Sequence, residues 1–158
     1  MTSTKIDCSF NRIAKLQDLA DLADLLFPNN RNQQHAFIVI WLAIKWSPHR
    51  IVPNFQVVAA QHGISRRTME RVRAKMRRMG LIDHVSRFNK AYGCREGWTL
   101  SARFERGLRQ MSQHVQALKD TGQRSREKDE MLIDFARARN AARSGNDDND
   151  KTEVMENE

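Results

Sequence analysis

Residues 57–82, from Val57 to Ile82, decide the fold, and they read VVAAQHGISRRTMERVRAKMRRMGLI. This stretch predicts two helices joined by a tight turn and followed by the start of a β-strand. The first helix is expected from about Asn54 to Gln61, and Gly63 lies where the chain must turn, because glycine adopts positive φ without steric cost. Ser65 is the predicted N-cap of the second helix and Gly80 the residue that ends it.

The second predicted helix has an apolar stripe on one side and basic residues on the others. Between Ser65 and Met79 there are seven Lys or Arg residues and one Glu. Like charges four residues apart, such as Arg67 and Arg71, repel one another, and a bound polyanion would turn this cost into affinity through counterion release. A solvated basic face without a ligand is the alternative interpretation. At 100° per residue the apolar stripe consists of Met69, Val72, Met76 and Met79, with Thr68 beside it.

The spacing of these residues resembles the helix-turn-helix of winged-helix DNA-binding proteins from bacterial, phage and plasmid regulators and replication proteins. The resemblance rests on Ala59, then Gly63-Ile64-Ser65, then the inward positions Thr68, Met69 and Val72, and finally the exit Met79-Gly80-Leu81-Ile82. It covers about 30 residues tightly and about 50 with the following hairpin. It implies a mainly α fold, a winged helix-turn-helix with a three-helix core and a small β-wing, flanked by N- and C-terminal helices.

The positive charge is concentrated around this motif. The chain has 158 residues, a formal net charge of +8 and a pI of about 10.1. By our count residues 1–60 carry +2, residues 61–110 carry +9 and residues 111–158 carry −3. A local basic patch of this kind favours a nucleic-acid surface over a generally basic protein.

Several other classes of protein are disfavoured by the sequence. No glycine-rich phosphate loop, GxSxG or HExxH occurs, and the five histidines lack metal-ligand spacing, so we expect neither an enzyme, a cofactor nor a metal site. The two cysteines, Cys8 and Cys94, favour reduced thiols. The longest apolar run, residues 36–44, is too short to span a bilayer. We therefore expect a cytoplasmic protein without membrane contact, and no small-molecule ligand is evident.

Upstream of the motif the sequence predicts two helices. Residues 1–9 are expected to be disordered, and residues 10–31 to contain one helix, ending before Pro28, that covers either its own domain or a second subunit. Asn32 to Ser47 is predicted to be the buried first helix of a domain spanning residues 32–100, and its apolar residues include Leu42 and Trp46. Residues 51–53 are expected to form a short first strand.

Downstream of the motif we expect a β-hairpin. Leu81–Phe88 and Trp98–Leu100 are predicted strands, and the glycine-containing connection between them would be a flexible basic wing tip. Trp98 is assigned to the core. The resemblance implies that the wing contacts the minor groove or phosphates through Arg87, Lys90 and Arg95.

The C-terminal third is predicted to hold two helices and a tail. Residues 101–122 contain apolar residues at spacings of 4, 3, 4 and 3, which indicates either a dimer seam or packing on the chain's own domain. Residues 123–143 are expected to be a charged, marginal helix, and residues 144–158 a disordered acidic tail. The dimer-seam candidates are Phe104, Leu108, Met111, Val115 and Leu118.

The resemblance also implies roles for the basic helix, which would enter the major groove of double-stranded DNA. The base-edge candidates are Arg66, Arg67, Glu70 and Arg71, with Glu70 as an acceptor for cytosine N4. The phosphate candidates are Ser65, Thr68, Arg73, Lys75, Arg77 and Arg78.

The resulting functional hypothesis is a sequence-specific double-stranded DNA-binding protein, a homodimer that acts as a prokaryotic transcriptional regulator. Three alternatives stay open. The first is a plasmid or phage replication initiation protein that binds origin DNA, and the second is a winged-helix protein-interaction module without DNA binding. RNA binding is the third, although no aromatic-rich sheet surface is evident.

Overall fold

Seven α-helices and a two-stranded antiparallel sheet make up the part of the chain that the computed structural model describes, residues 6–147, with side chains to residue 143. The fold is mainly helical, as the sequence predicted. In chain order the elements are α1 (Phe10–Ala14), α2 (Leu19–Leu26), α3 (Arg31–Lys45), a 3₁₀ turn (Pro48–Arg50), α4 (Gln56–Gln61), α5 (Arg66–Met79), β1 (Ile82–Val85), a second 3₁₀ turn (Lys90–Tyr92), β2 (Gly97–Leu100), α6 (Arg103–Ala117) and α7 (Gln123–Asp147). The chain divides into two compact units, with the boundary after Arg109.

Helix α3 is the centre of the first unit, because it packs against α2, α4, α5 and β2. Its side chains Phe37, Ile40 and Ile44 are fully buried. From α5, Val72 and Met76 are fully buried against the same core. The apolar stripe predicted on the basic helix is therefore its inward face, and its remaining faces are left for charge.

The turn and helix predicted between Gly63 and Gly80 have the expected geometry. Gly63 adopts φ +63°, and the Ser65 hydroxyl accepts a hydrogen bond from the Thr68 backbone N–H at 3.2 Å. Gly80 ends α5 in the left-handed conformation, with φ 81°. A Cβ at Gly80 would also lie 2.8 Å from the Arg103 Cβ, so the close approach of α6 requires glycine here.

The sheet is a hairpin whose strands pair from Ile82 opposite Leu100 to Val85 opposite Gly97. Both strands have four residues, so β1 is shorter than predicted: the chain leaves the ladder at Ser86. The short first strand is reduced to an isolated antiparallel bridge between Val52 and Trp98. This bridge ties the segment before α4 to the hairpin.

The N-terminal prediction requires correction. Residues 10–27 form two helices rather than one, because Asp18 and Asp21 make a capping box that starts α2 separately. Residues 1–5 lie outside the described residues. Residues 6–9 are ordered, since Ile6 packs against the core and the Asp7 N–H donates to the Leu25 carbonyl at 3.1 Å. The predicted alternatives were packing on the chain's own domain or on a second subunit. Helix α2 packs on its own domain, where Leu26 is fully buried.

Two residues of α3 that were expected in the core are exposed. Leu42 is 38 % exposed and Trp46 is 75 % exposed. Trp46 lies at the C-cap, beyond the last turn of α3, and the Nζ of its neighbour Lys45 lies 5.0 Å from the ring centroid. The apolar pattern of α3 thus extends past the part of the helix that its neighbours cover.

Of the two C-terminal helices, α6 lies within the predicted range and α7 is longer than predicted, and most of their apolar side chains are exposed. Helix α7 extends from residue 123 to residue 147, so the tail predicted for 144–158 begins inside a helix; residues 148–158 lie outside the described residues. Among the seam candidates of α6, Phe104 packs against the core of the first unit. The other four, Leu108, Met111, Val115 and Leu118, are 46–76 % exposed.

Candidate functional site

The basic residues of α5 line one side of a groove that β1, β2 and the start of α6 complete. This groove has a volume of about 1000 Å³, and we call it the arginine groove. Six arginines line it against only two carboxylates, those of Glu70 and Asp83. Its full lining is Arg67, Glu70, Arg71, Arg73, Ala74, Arg77, Arg78, Asp83, Trp98 and Arg103.

Trp98 forms an apolar wall of the groove as well as part of the core. The indole is buried, 9 % exposed, and it contacts the cluster that α3 organises. The Arg73 guanidinium carbon lies 4.9 Å from the indole centroid, and that of Arg77 lies 5.9 Å from it. Stacking on an aromatic face restricts a guanidinium without consuming its hydrogen-bond donors in an ion pair. Trp98 therefore positions two of the groove's cations.

The Trp98 ring also has a histidine neighbour. The His84 ring meets the indole edge-on, with centroids 5.0 Å apart. The two residues are cross-strand partners in the hairpin, so the contact follows from the register of β1 and β2. His84 is exposed, and the sequence had placed it in the wing strand.

The far end of the groove is fixed by Arg103, a residue that the sequence did not single out. Its guanidinium makes a bidentate contact with the Asp83 carboxylate, in which Nε lies 3.1 Å from Oδ2, and it donates to the Arg77 carbonyl at 3.3 Å. The hydrogen bond from Arg103 lowers the pKa of Asp83, so that carboxylate stays ionised. The contact joins the start of α6 to the end of α5. A basic residue three positions after the second predicted strand was the signal available in the sequence.

The four base-edge candidates are divided between two depressions. Arg67, Glu70 and Arg71 line the arginine groove. Arg66 lies in a second depression, of about 540 Å³, between α4 and α5. The Arg66 Nε donates to Glu70 at 2.8 Å, and this bond lowers the pKa of Glu70. Arg66 and Glu70 thus partly neutralise one another on the exposed side of α5.

The phosphate candidates are divided as well. Arg73, Arg77 and Arg78 line the arginine groove. The hydroxyls of Ser65 and Thr68 are already engaged with each other at 2.9 Å, where they hold the N-cap. No ion pair within residues 6–143 involves Arg67, Arg71 or Arg78, so no described carboxylate offsets those three exposed guanidiniums.

The prediction for Lys75 requires correction, because its side chain does not reach the arginine groove. Its side chain is 7 % exposed, its Nζ donates to the Leu26 carbonyl, and the ammonium lies 4.4 Å from the centroid of the Phe27 ring. Burial lowers the pKa of Lys75, and the nearby Arg78 adds to the effect. The ammonium thus satisfies the backbone carbonyl of the last residue of α2. The prediction of a phosphate contact at Lys75 is wrong, because the C-terminal end of α2 occupies that side of α5.

The three wing candidates, Arg87, Lys90 and Arg95, lie on the connection between the strands and are exposed. They are not among the residues that line the arginine groove. The Arg87 guanidinium lies 5.1 Å from the ring of its neighbour Phe88, which is itself 78 % exposed. The connection therefore presents a separate basic and aromatic surface.

Within residues 6–147 no cluster of three or more His, Cys, Asp or Glu side chains is arranged to hold a metal ion. No helix in the same range combines the length and apolar character that crossing a bilayer requires. In comparisons with known proteins, no family model, no curated protein and no solved structure matches the chain.

Proposed function

We propose that this chain is a winged-helix protein that binds double-stranded DNA sequence-specifically, as a homodimer, and regulates transcription. In this proposal α5 enters the major groove and the β1–β2 connection is the wing. One observation carries the proposal: six arginines and two carboxylates surround a groove built on a helix whose apolar face is fully used by the core. A DNA backbone is the polyanion that such a concave basic surface fits.

The start of α5 supports an anionic ligand independently of the groove. Its first turn contains Arg66 and Arg67 and no acidic residue. The helix dipole favours negative charge at this end, so two cations there oppose the stability of the helix. A phosphate or a base-edge acceptor placed at this end would remove the conflict. Glu70, one turn further along, offsets only Arg66.

The positions of the arginines support a different proposed role for each group. Arg67 and Arg71 are unpaired among the described side chains, lie in the N-terminal half of α5 and line the groove, so we assign them to base edges, with Glu70 as an acceptor. Arg78 lies near the C-terminal end of α5 and is assigned to phosphate. Arg73 and Arg77, which Trp98 holds, and Arg103, which Asp83 holds, are assigned to phosphate too.

The proposal is tested by selecting binding sites from random duplex DNA with the full chain and then measuring affinity for selected and scrambled duplexes across a salt series. Arg71→Ala is expected to weaken the selected site by about 1–3 kcal/mol and to relax base preference. Arg78→Ala is expected to weaken both duplexes to a similar degree and to reduce the salt slope by about 1. Arg109→Ala removes an exposed arginine that does not line the groove, and it serves as the matched control.

The outcomes separate the alternatives. Enrichment of one palindromic site supports a dimeric regulator, whereas tandem repeats in an enriched origin sequence support replication initiation. The proposal is wrong if no duplex is retained at physiological salt, where a basic surface of this density should bind with a Kd of about 10⁻⁶–10⁻⁴ M even non-specifically. The base-edge assignment alone is wrong if the Arg71 and Arg78 variants behave alike on both duplexes.

A further inference from the structure

Within the described residues, seven large apolar side chains form two exposed stripes along helices α6 and α7. Leu108, Met111 and Val115 lie on α6 and Leu118 directly follows its last residue; we count these four as the α6 stripe, and their exposed fractions lie between 46 % and 76 %. On α7, Met131 is 71 % exposed, Leu132 is 61 % exposed and Phe135 is 66 % exposed. Exposed apolar residues are ordinary when single, but two stripes on consecutive helices mark an interaction surface.

The stripe on α7 has the same periodicity as the stripe on α6. Met131, Phe135, Ala138 and Ala142 follow one another at spacings of 4, 3 and 4, and Leu132 lies beside them. At 100° per residue these four positions fall within about 60° of one another. Ile133, also 60 % exposed, lies on the opposite side of α7. Both helices therefore have the two-per-seven pattern of helices that pack in a bundle.

We infer that a second copy of this chain covers both stripes, and that α6 and α7 of two copies form a four-helix bundle. This deepens the homodimer of the proposed function, on which it rests, and is independent of DNA binding. The expectation from the sequence was a narrower one, a seam made by α6 alone.

The area of the interface decides between the seam and the bundle. A large apolar side chain contributes roughly 100 Å² on burial, so the four residues of α6 from two copies supply only about 800 Å². That lies in the range of non-specific crystal contacts. Adding the three residues of α7 brings the total to about 1,400 Å², within the range of about 1,200–2,000 Å² of specific interfaces. A seam made by α6 alone would also leave Phe135 and its neighbours in water.

Self-association explains why these helices are helical at all. Helix α7 has 25 residues, and no side chain in its described part is buried. Helices in water obtain most of their stability from packing an apolar face rather than from propensity. A second copy offers an apolar stripe of matching period, whereas the arginine groove and the core of the first unit offer none.

The test uses the full chain and three single substitutions to glutamate, with mass in solution measured at micromolar protein. Wild type is expected at twice the 18.4 kDa chain mass. Val115→Glu on α6 and Phe135→Glu on α7 are each expected to halve the mass. Ile133→Glu is the matched control, because it places the same charge at an equally exposed residue on the far side of α7, and it is expected to stay dimeric.

A second measurement guards against misfolding. All three tryptophans, Trp41, Trp46 and Trp98, belong to the first unit. Their fluorescence should be unchanged in every variant, while far-ultraviolet circular dichroism should show a loss of helix in the two monomeric variants. If Phe135→Glu stays dimeric while Val115→Glu becomes monomeric, the bundle is wrong and the homodimer stands. If wild type is monomeric, or if Ile133→Glu also dissociates, the bundle is overturned; monomeric wild type refutes the homodimer too.

Discussion

Helices α5 and α6 have nearly equal length and the same amphipathic construction, yet they use it in opposite ways. Helix α5 buries its apolar stripe, with Val72 and Met76 fully enclosed, and presents arginines to the solvent. In helix α6 the first residue of the stripe, Phe104, is partly buried against the core, and Met111 is 58 % exposed. With its stripe in the core, α5 leaves its charged faces exposed, whereas α6 leaves an apolar surface exposed.

The largest expected effect is on the free energy of unfolding, and it compares the same substitution, Met→Ala, in the apolar stripes of α5 and α6. Met76→Ala should lower the free energy of unfolding of the first unit by about 2–5 kcal/mol, because it opens a cavity at a fully buried position. Met111→Ala should change that quantity by less than about 0.5 kcal/mol. Chemical denaturation followed by tryptophan fluorescence measures both. Equal effects would show that α6 belongs to the same core as α5.

The second effect concerns the one cation of α5 that faces inward. Lys75→Ala should lower stability by about 1–3 kcal/mol, because the Leu26 carbonyl loses its charged donor, while DNA affinity is unchanged. Arg78→Ala should lower DNA affinity and leave the free energy of unfolding near the wild-type value. Loss of DNA affinity in folded Lys75→Ala at unchanged salt slope would show that the inward face also shapes the groove.

The same residue predicts a pH dependence. Burial lowers the pKa of Lys75 below its ordinary value of 10.5, so over the alkaline window beneath 10.5 the unfolded chain binds more protons than the folded one. Stability therefore rises with pH there on account of this residue. The stability difference between wild type and Lys75→Ala should grow as the pH approaches 10.5, and denaturation at neutral and alkaline pH measures it.

A smaller effect is expected at the N-cap of α5. Ser65→Ala should cost about 1 kcal/mol, because the Thr68 N–H loses its acceptor at the start of the helix. Ser112→Ala, at an exposed position inside α6, should cost nothing measurable by the same denaturation assay. A cost at Ser112 as large as that at Ser65 would mean that α6 has polar contacts of its own.

The smallest effect lies where the two helices meet. Asp83→Asn removes the acidic partner of Arg103, and we expect a loss of less than about 1 kcal/mol at neutral pH, because the pair is partly exposed and screened. The pKa of Asp83 is depressed in the folded state, so this contribution is present above the ordinary value of 3.8 and is lost as the pH falls through the folded value. Melting of both proteins at pH 7 and in strong acid measures the difference.

Local signals made the centre of the fold predictable. These signals extend over only one or two helical turns: a capping serine, the glycines Gly63 and Gly80, and a stripe of methionine and valine. The structure has all of them as predicted. The burial of Lys75 could not be predicted, because it depends on α2, which lies 49 residues earlier in the chain. The same holds for the exposure of Trp46, which depends on how far the neighbours of α3 extend.

The site was predictable in its charges but not in its assembly. The arginines of α5 could be identified from composition and period, whereas the groove also needs Trp98 and Asp83 from the hairpin and Arg103 from α6. Those residues converge through strand register and through the close packing at Gly80. Pairing between segments that are distant in sequence carries no periodic signal, so these contributors were assigned to the core or not singled out at all.

The hydrogen bond between Lys75 and Leu26 has a practical consequence for anyone who wants the arginine groove on a shorter chain. An excised cassette that begins at Arg31 would keep every arginine of the groove and lose the carbonyl and the aromatic ring that accommodate the ammonium. In that cassette the Lys75 ammonium would lie beside apolar surface that α2 no longer covers. We expect a lower melting temperature and aggregation. The smallest transplantable version of this module must therefore include α2.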